Sequence, residues 1–210
     1  CDSNTHSLYG ESVASSIREA GYETSICVIP AGEEKKDIST VGLIWKSFLE
    51  AGLGRKDFAV AVGGGVTGDL TGFAAATWMR GMDFVQIPTS LLAQVDSSVG
   101  GKTGVDIDAG KNLVGAFWQP RLVLLDVDVL STLPADVFAD GMAEVIKTAC
   151  IKDAALFELL ETGDLANVDM LEQVICRCVS IKRDVVEQDE REHGERKLLN
   201  FGHTFGHALE

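Results

Sequence analysis

Three clusters of residues in this sequence have types and spacings that could do chemistry. In the first, Gly63-Gly64-Gly65-Val66-Thr67-Gly68-Asp69, glycines fall at the G-x-G-x-x-G spacing. Glycines so placed let backbone N–H groups approach a pyrophosphate at the positive end of a helix. A tight turn with no ligand is the alternative, but an apolar run before the turn and a helical pattern after it favour a dinucleotide. The acid that reads the ribose belongs at the carboxyl end of a strand. Asp83 comes before the run 84–87 and sits at the wrong end, whereas Asp2 and Glu33 sit at the right one.

The second cluster runs from Pro88 to Thr103 and carries Thr89, Ser90, Asp96 and then Gly100-Gly101-Lys102-Thr103, with Gly110-Lys111-Asn112 close behind. It is not a P-loop, because Asp96 stands where the first glycine of that motif belongs. Its lysines can hold a phosphate as point charges. Lys102 alone would read as a solvated surface lysine, but Asp96, Lys102 and Lys111 share one segment beside the glycine turn.

The third cluster is divided. Glu144 and Lys147 are three apart and share a helix face. Asn200, His203 and His207 form one stripe at spacings of three and four, with Arg196 four residues before it. Two histidines four apart on a helix can present metal ligands, although either alone would read as a core histidine. Gly202 and Gly206 each cost the helix about 1 kcal/mol relative to alanine, which points to a close approach there. A catalytic zinc takes three protein ligands and one open position. Glu144 and one histidine supply two, and the third is either His207 or a residue beyond Glu210. Lys182 and Arg196 lie among Asp184, Glu187, Asp189, Glu190, Arg191, Glu192 and Glu195, which read as a solvated charged face.

These clusters need elements to hold them. Helical spacing is expected over 8–20, 38–51 and 69–79, and strands over 26–29, 58–62, 84–87 and 122–125. That alternation argues for α/β architecture with a mostly parallel sheet. After Asp126 only helices are expected, over 134–151, 154–161, 171–186 and 198–210. The reading is a Rossmann-like nucleotide-binding domain over residues 1–130, then an α-helical metal-binding domain over 131–210. Asp2-Ser3-Asn4-Thr5 reads as a turn following a strand outside the sequence, and the run from Leu198 has no stop signal. A longer parent chain is therefore expected.

The composition is that of a globular protein, with 46% hydrophobic and 24% charged residues among 210. Eighteen Lys and Arg against 32 Asp and Glu give a net charge of −14, which argues against nucleic acid or an anionic membrane as a partner. No apolar run reaches the roughly 18 residues of a membrane span. Five cysteines at scattered spacing read as reduced thiols in a cytoplasmic protein. An acidic chain that handles a phosphorylated substrate must focus its basic residues in one place.

Together with Met79-Arg80-Gly81, Leu113, Gly141-Met142-Ala143-Glu144-Val145-Ile146-Lys147 and Leu198 to His207, these clusters, in this order, closely resemble the 3-dehydroquinate synthase family over essentially the whole chain. The resemblance implies an α/β NAD-binding domain, an α-helical metal domain and an active site between them, in a cytoplasmic homodimer. It implies conversion of 3-deoxy-D-arabino-heptulosonate 7-phosphate, a small phosphorylated sugar acid, to 3-dehydroquinate and phosphate in the shikimate pathway. The steps are oxidation, phosphate elimination, reduction and intramolecular aldol closure, with NAD regenerated in each turnover.

The resemblance further implies zinc ligation by Glu144 and His203. The third ligand is then in a later His-Gly-Glu segment that this sequence lacks, and His207 is on the substrate side. NAD contacts are implied for Asp2, Asn4, Glu33, Lys36, Gly64, Gly65, Val66, Asp69, Thr89, Ser90, Lys111 and Thr132. Substrate contacts are implied for Asp96, Lys102, Asn112, Lys147, Lys182, Arg196, Asn200 and His207, and Arg80 resembles an arginine that reaches the phosphate in the partner subunit. Three rivals remain: another sugar phosphate cyclase, an alcohol dehydrogenase of related fold, and a non-catalytic domain. Lys182, Arg196 and Asn200 speak for a substrate that bears a carboxylate, which the other cyclases do not need.

Overall fold

The computed structural model describes residues 1–202. The chain divides into two compact units, one formed by Cys1–Thr89 with Gly101–Leu125 and the other by Ser90–Gly100 with Asp126–Glu210. The sequence reading places one boundary near residue 130, and the compact units divide as follows. The main crossing lies at Leu125, and residues 90–100 pack with the helical unit.

The first unit is built on a parallel sheet in the order β1-β2-β5, with β1 at Phe58–Gly63, β2 at Asp83–Pro88 and β5 at Leu122–Val123. Phe58 pairs with Asp83 and Gly63 with Pro88, so the glycine turn and Thr89 leave the same end of the sheet. Two helices cover the sheet, α2 at Ile38–Glu50 and α3 at Gly65–Thr77. Asp37 caps α2 by accepting from Thr40 N at 2.7 Å. Val41, Ile44 and Phe48 on α2 join Leu70, Phe73 and Ala74 on α3 and Ala59 and Phe84 on the strands in one apolar core. Continuous burial of β1 from Ala61 to Gly63 is what a strand packed on both faces requires.

Two sequence expectations in this unit are corrected, and one element is added. The first helix opens at Ser3 rather than Leu8, because the Asp2 carboxylate accepts Asn4 N and Thr5 N and caps it. It passes through a π turn at His6–Gly10 into α1, Glu11–Glu19. The run 26–29 is extended but makes only one parallel bridge, Asp2 to Ile29, since Cys1–Ser3 alone lies beside it. Residues 102–117, for which no element is expected from the sequence, form an antiparallel hairpin of β3, Lys102–Ile107, and β4, Gly110–Phe117. Only β3 is packed inward, through Thr103, Gly104 and Val105, while β4 is exposed along most of its length. Without a buried face on β4, the sequence shows no alternation to read.

The second unit packs α4, Ala135–Lys152, with α5, Ala154–Thr162, and α6, Val168–Gln188. The unit also holds 3-10 helices at Asp128–Thr132 and Glu195–Asn200 and a π turn at Ala93–Ser97. Leu91, Val145, Leu156, Val174, Ile175 and Cys178 are buried in its interior. Burial there pushes the Cys178 thiol up to about 12, which leaves it a packing residue rather than a nucleophile. The helix expected over 198–210 is a 3-10 turn as far as Asn200, and residues 203–210 lie outside the described residues. Among the described residues no helix is long and apolar enough to cross a membrane.

Two side-chain details of this unit can be tested by substitution. Gly141 on α4 faces the backbone of Leu91 and Leu92, and a Cβ built there would stand 2.6 Å from Leu91 Cβ and 2.8 Å from Leu92 N. On an open helix Gly→Ala stabilises by about 1 kcal/mol. Here the steric clash should win, so Gly141→Ala is expected to cost about 1–3 kcal/mol in denaturant unfolding. The Asp153 carboxylate caps α5 through Leu156 N at 3.0 Å and grips Arg177 at 2.9 and 2.6 Å. The Arg177 hydrogen bonds lead in holding that carboxyl below its usual value. A lowered carboxyl contributes stability that is present above its unfolded value and lost as pH falls through the folded one. Asp153→Ala should therefore cost about 0.5–2 kcal/mol at pH 7, and the gap to wild type should close in acid.

Candidate functional site

In the first unit, the glycine turn is organised for close approach rather than for unusual backbone angles. Gly64 is extended, with φ −73° and ψ −171°, and α3 begins at Gly65 with no side chain capping its N-terminus. The helix therefore starts four residues before the expected Asp69, and Val66, Thr67 and Gly68 are all helical. Gly68 lets α3 lie against β2, since a Cβ there would be 2.6 Å from Gln86 Oε1. That is the helix–strand packing role of the third fingerprint glycine. Thr67 Oγ1 donates to Asp2 Oδ2 at 3.0 Å. Both Asp2 oxygens thus serve the turn and the first helix, and the visible work of Asp2 is to join them. Asn4 and Glu33 are exposed, and Thr89 is buried, with its N–H donating to Gly63 O at 2.9 Å.

Lys36, 6% exposed, is the hub of this unit. Its Nζ is 2.7 Å from Asp69 Oδ2 on α3 and donates to Asn112 Oδ1 on β4 at 2.7 Å. Lys36 and Asp69, expected on the nucleotide, and Asn112, expected on the substrate, are therefore one bonded group. Asp106 holds it from behind. Its Oδ1 accepts Asn112 N at 2.6 Å, and its own N–H donates to Lys36 O at 2.7 Å. Asn112 is left-handed at φ 56°, a conformation asparagine tolerates better than most residues. Lys102 and Lys111 are exposed on the hairpin. Arg80 is exposed too, at a kink where Met79 and Arg80 are both left-handed, with φ 50° and 68°. A cavity of about 500 Å³ in this unit, walled by Val13, Ile17, Ile26, Phe48 and Val60, holds none of the candidate residues.

In the second unit, five charged side chains converge from four elements. Lys182 on α6, 8% exposed, donates to Asp96 Oδ1 at 2.6 Å and to the Asp96 carbonyl at 2.5 Å. Glu144 and Lys147 on α4 pair at 2.7 Å, with side chains 12% exposed, and Lys147 also donates to Leu199 O at 2.6 Å. Arg196, 2% exposed, donates to the carbonyls of Glu190 at 2.5 Å and Gly100 at 3.1 Å.

The charges tune one another. Burial first, then the Asp96 carboxylate, raises the Glu144 carboxyl above its ordinary value, against the pull of Lys147 and Lys182. Burial lowers the Lys182 ammonium, and Asp96 opposes that. Such clustering of buried, mutually perturbed groups marks functional sites. Ser90 and Thr132, expected beside the nucleotide, belong to this second unit. Ser90 Oγ accepts Ala93 N at 3.3 Å, and Thr132 is exposed.

Glu144 offers one hard oxygen to a metal. His203 and His207 lie outside the described residues, and among the described residues no group of three candidate ligands occurs. Part of the supporting structure escaped the sequence reading. Asp189 and Glu192, taken for a solvated face, are bonded to the site's own loop. Asn200 Nδ2 donates to Glu192 Oε1 at 2.6 Å, and Asp189 accepts three backbone N–H groups of residues 193–196. The available signal was an aspartate at a helix end five residues before a glycine, a spacing at which a short side chain can reach forward to close a loop.

Comparison with known proteins places these residues in a family. Residues 26–140 match the 3-dehydroquinate synthase N-terminal family model, and residues 141–210 match the 3-dehydroquinate synthase C-terminal model. The 3-dehydroquinate synthase of Pelobacter propionicus is 54% identical over 207 residues, covering 97% of this chain and 58% of its own length. Among solved structures, ValA (2-epi-5-epi-valiolone synthase) of Streptomyces hygroscopicus subsp. jinggangensis 5008, with NAD+ and Zn2+ bound, superimposes with a TM-score of 0.92 at 35% identity. That match covers 100% of this chain and 60% of the other. A 2-deoxy-scyllo-inosose synthase complexed with carbaglucose-6-phosphate, NAD+ and Co2+ matches at a TM-score of 0.88 and 31% identity, over 99% of this chain and 59% of the other. The chain thus spans somewhat under two thirds of these relatives. With two adjoining family models matched from residue 26 to its last residue, the chain belongs to the 3-dehydroquinate synthase family.

Proposed function

We propose that the protein containing this chain is a 3-dehydroquinate synthase. It takes 3-deoxy-D-arabino-heptulosonate 7-phosphate to 3-dehydroquinate and phosphate, in the cytoplasm, with NAD and zinc. The observation that carries this reading is the pair of buried cations, Lys182 and Arg196, in one unit of a chain whose net charge is −14. A guanidinium suits a two-point grip on a carboxylate, and the heptulosonate bears one. Identity of 54% to a 3-dehydroquinate synthase, against 35% to the valiolone synthase, supports the same choice.

The residues fit both cofactors. The uncapped first turn of α3 offers backbone N–H groups to a pyrophosphate, as an NAD site needs. For the metal, Glu144 offers a buried carboxylate oxygen, a donor that zinc accepts, and His203 is the proposed second ligand. When bound, NAD accepts and returns hydride and zinc acts as a Lewis acid on the substrate hydroxyls. The chain's own residues bind and orient. Lys182 and Arg196 hold the carboxylate, and Asn200 is a further proposed substrate contact. Lys102, Lys147, Asn112, Asp96 and His207 are further proposed substrate contacts, with the lysines and His207 supplying the fixed positive charge that stabilises the leaving phosphate. Lys36 and Asp69 link the nucleotide side to Asn112 through bonds already formed. We further propose a homodimer in which the exposed Arg80, at its left-handed kink, serves the partner's phosphate site.

The deciding experiment is product analysis on the full-length gene product with the heptulosonate phosphate, zinc and a catalytic amount of NAD. Accumulation of 3-dehydroquinate and phosphate well beyond the NAD supplied is the expected result. Bound NAD and metal without product would overturn the substrate, and sedoheptulose 7-phosphate would be tried next. Arg196→Lys, which replaces the fork with a point charge, should lower kcat/KM roughly 10- to 100-fold. Chelation should abolish turnover, and added zinc should restore it.

A further inference from the structure

We propose that Asp189 is a positioning residue that sets the carboxylate-binding guanidinium of Arg196, an inference that rests on the reading above. Asp189 stands immediately after α6, the helix that carries Lys182. Its Oδ1 accepts His193 N at 2.8 Å, and its Oδ2 accepts Gly194 N at 2.6 Å and Arg196 N at 3.1 Å. One side chain thus closes the loop between two elements that carry site residues, and it bonds the backbone of Arg196 directly.

The loop needs such a clamp. Glu192 within it is left-handed at φ 60°. Strained backbone of this kind persists only where its surroundings over-determine it. The 3-10 helix that follows, Glu195–Asn200, has no cap from its own N-cap residue, Gly194. The Asp189 carboxylate supplies that acceptor from the other side of the loop. The same closure sets the Glu190 carbonyl, which accepts from Arg196 Nη1, while the Gly100 carbonyl accepts from Nη2. These two carbonyls hydrogen-bond the guanidinium, and the carboxylates of Glu192, Asp96, Asp189 and Glu190 act on it electrostatically. Its direction is therefore set by two backbone carbonyls, one of them on the loop that Asp189 closes. Asp189 acts by fixing where that charge points.

The test uses the full-length gene product and compares wild type with Asp189→Asn and Asp189→Ala. Steady-state kinetics with the heptulosonate phosphate are combined with inhibition by 3-dehydroquinate, which carries the carboxylate, and by inorganic phosphate, which does not. Asp189→Ala should raise KM and the 3-dehydroquinate inhibition constant roughly tenfold, and Asp189→Asn, which keeps one acceptor oxygen, by roughly threefold. The phosphate inhibition constant should stay within about twofold, because a loop repositioned around Arg196 leaves the phosphate residues alone. If both inhibition constants rise together, or if neither moves, the positioning role is overturned. If the alanine variant does not fold, the asparagine variant decides by the same ratio. A wild-type enzyme without turnover overturns the proposed function, and this inference with it. An active wild type with unchanged variants overturns this inference alone.

Discussion

An ammonium group taken out of water must find an anion or give up its proton, and much of the second unit follows from that constraint at Lys182. Removing a charge from water costs several kcal/mol even after relaxation. Asp96 offsets this twice, through its carboxylate and its carbonyl. To do so, residues 90–100 must leave the sheet unit and pack among helices. Gly141 must lack a side chain so that Leu91 and Leu92 can come close. Glu144, caught between Asp96 and the two lysines, is then a carboxylate whose charge depends on its neighbours. Arg196 joins the cluster among carboxylates of its own, those of Glu192, Asp96, Asp189 and Glu190.

The first unit solves a parallel problem with different parts. Lys36 is buried between Asp69 and Asn112, so its charge is paired on one side and hydrogen-bonded on the other. The hairpin that carries Asn112 is anchored on β3 alone, and its second strand stands outside the core. Such a strand gains little from burial. Its position depends on polar ties, Asp106 to Asn112 and Lys36 to Asn112, which makes these bonds structural.

The parallel sheet, the glycine turn and the long helices were legible because each repeats a period in apolar residues. Ala59 to Val62 is continuous, and Val41, Ile44 and Phe48 fall on one helix face. The ends of elements were less legible, since a cap such as Asp2 or a glycine-started helix such as α3 depends on hydrogen bonds rather than on periodicity. The hairpin over 102–117 was missed because its outer strand is exposed on both faces. Asp189 and Glu192 were missed because charge-rich stretches look alike in sequence whether their oxygens meet water or backbone N–H groups. Roles for Lys36, Asp96, Lys182 and Arg196 came from the family resemblance. The structure adds how each charge is held, which residue type alone does not reveal.

The path of the chain between the units carries a consequence of its own. Residues 90–100 belong to the helical unit, but residues 101–125 return to complete the sheet unit. During synthesis the sheet unit cannot close until β5 has emerged. By then its excursion, residues 90–100, is waiting for helices not yet made. Pairings that span such sequence distances form slowly, and incomplete units expose apolar surface meanwhile. No single cut in the backbone separates the two units, so an engineer who wished to exchange the helical half would have to graft two segments at once.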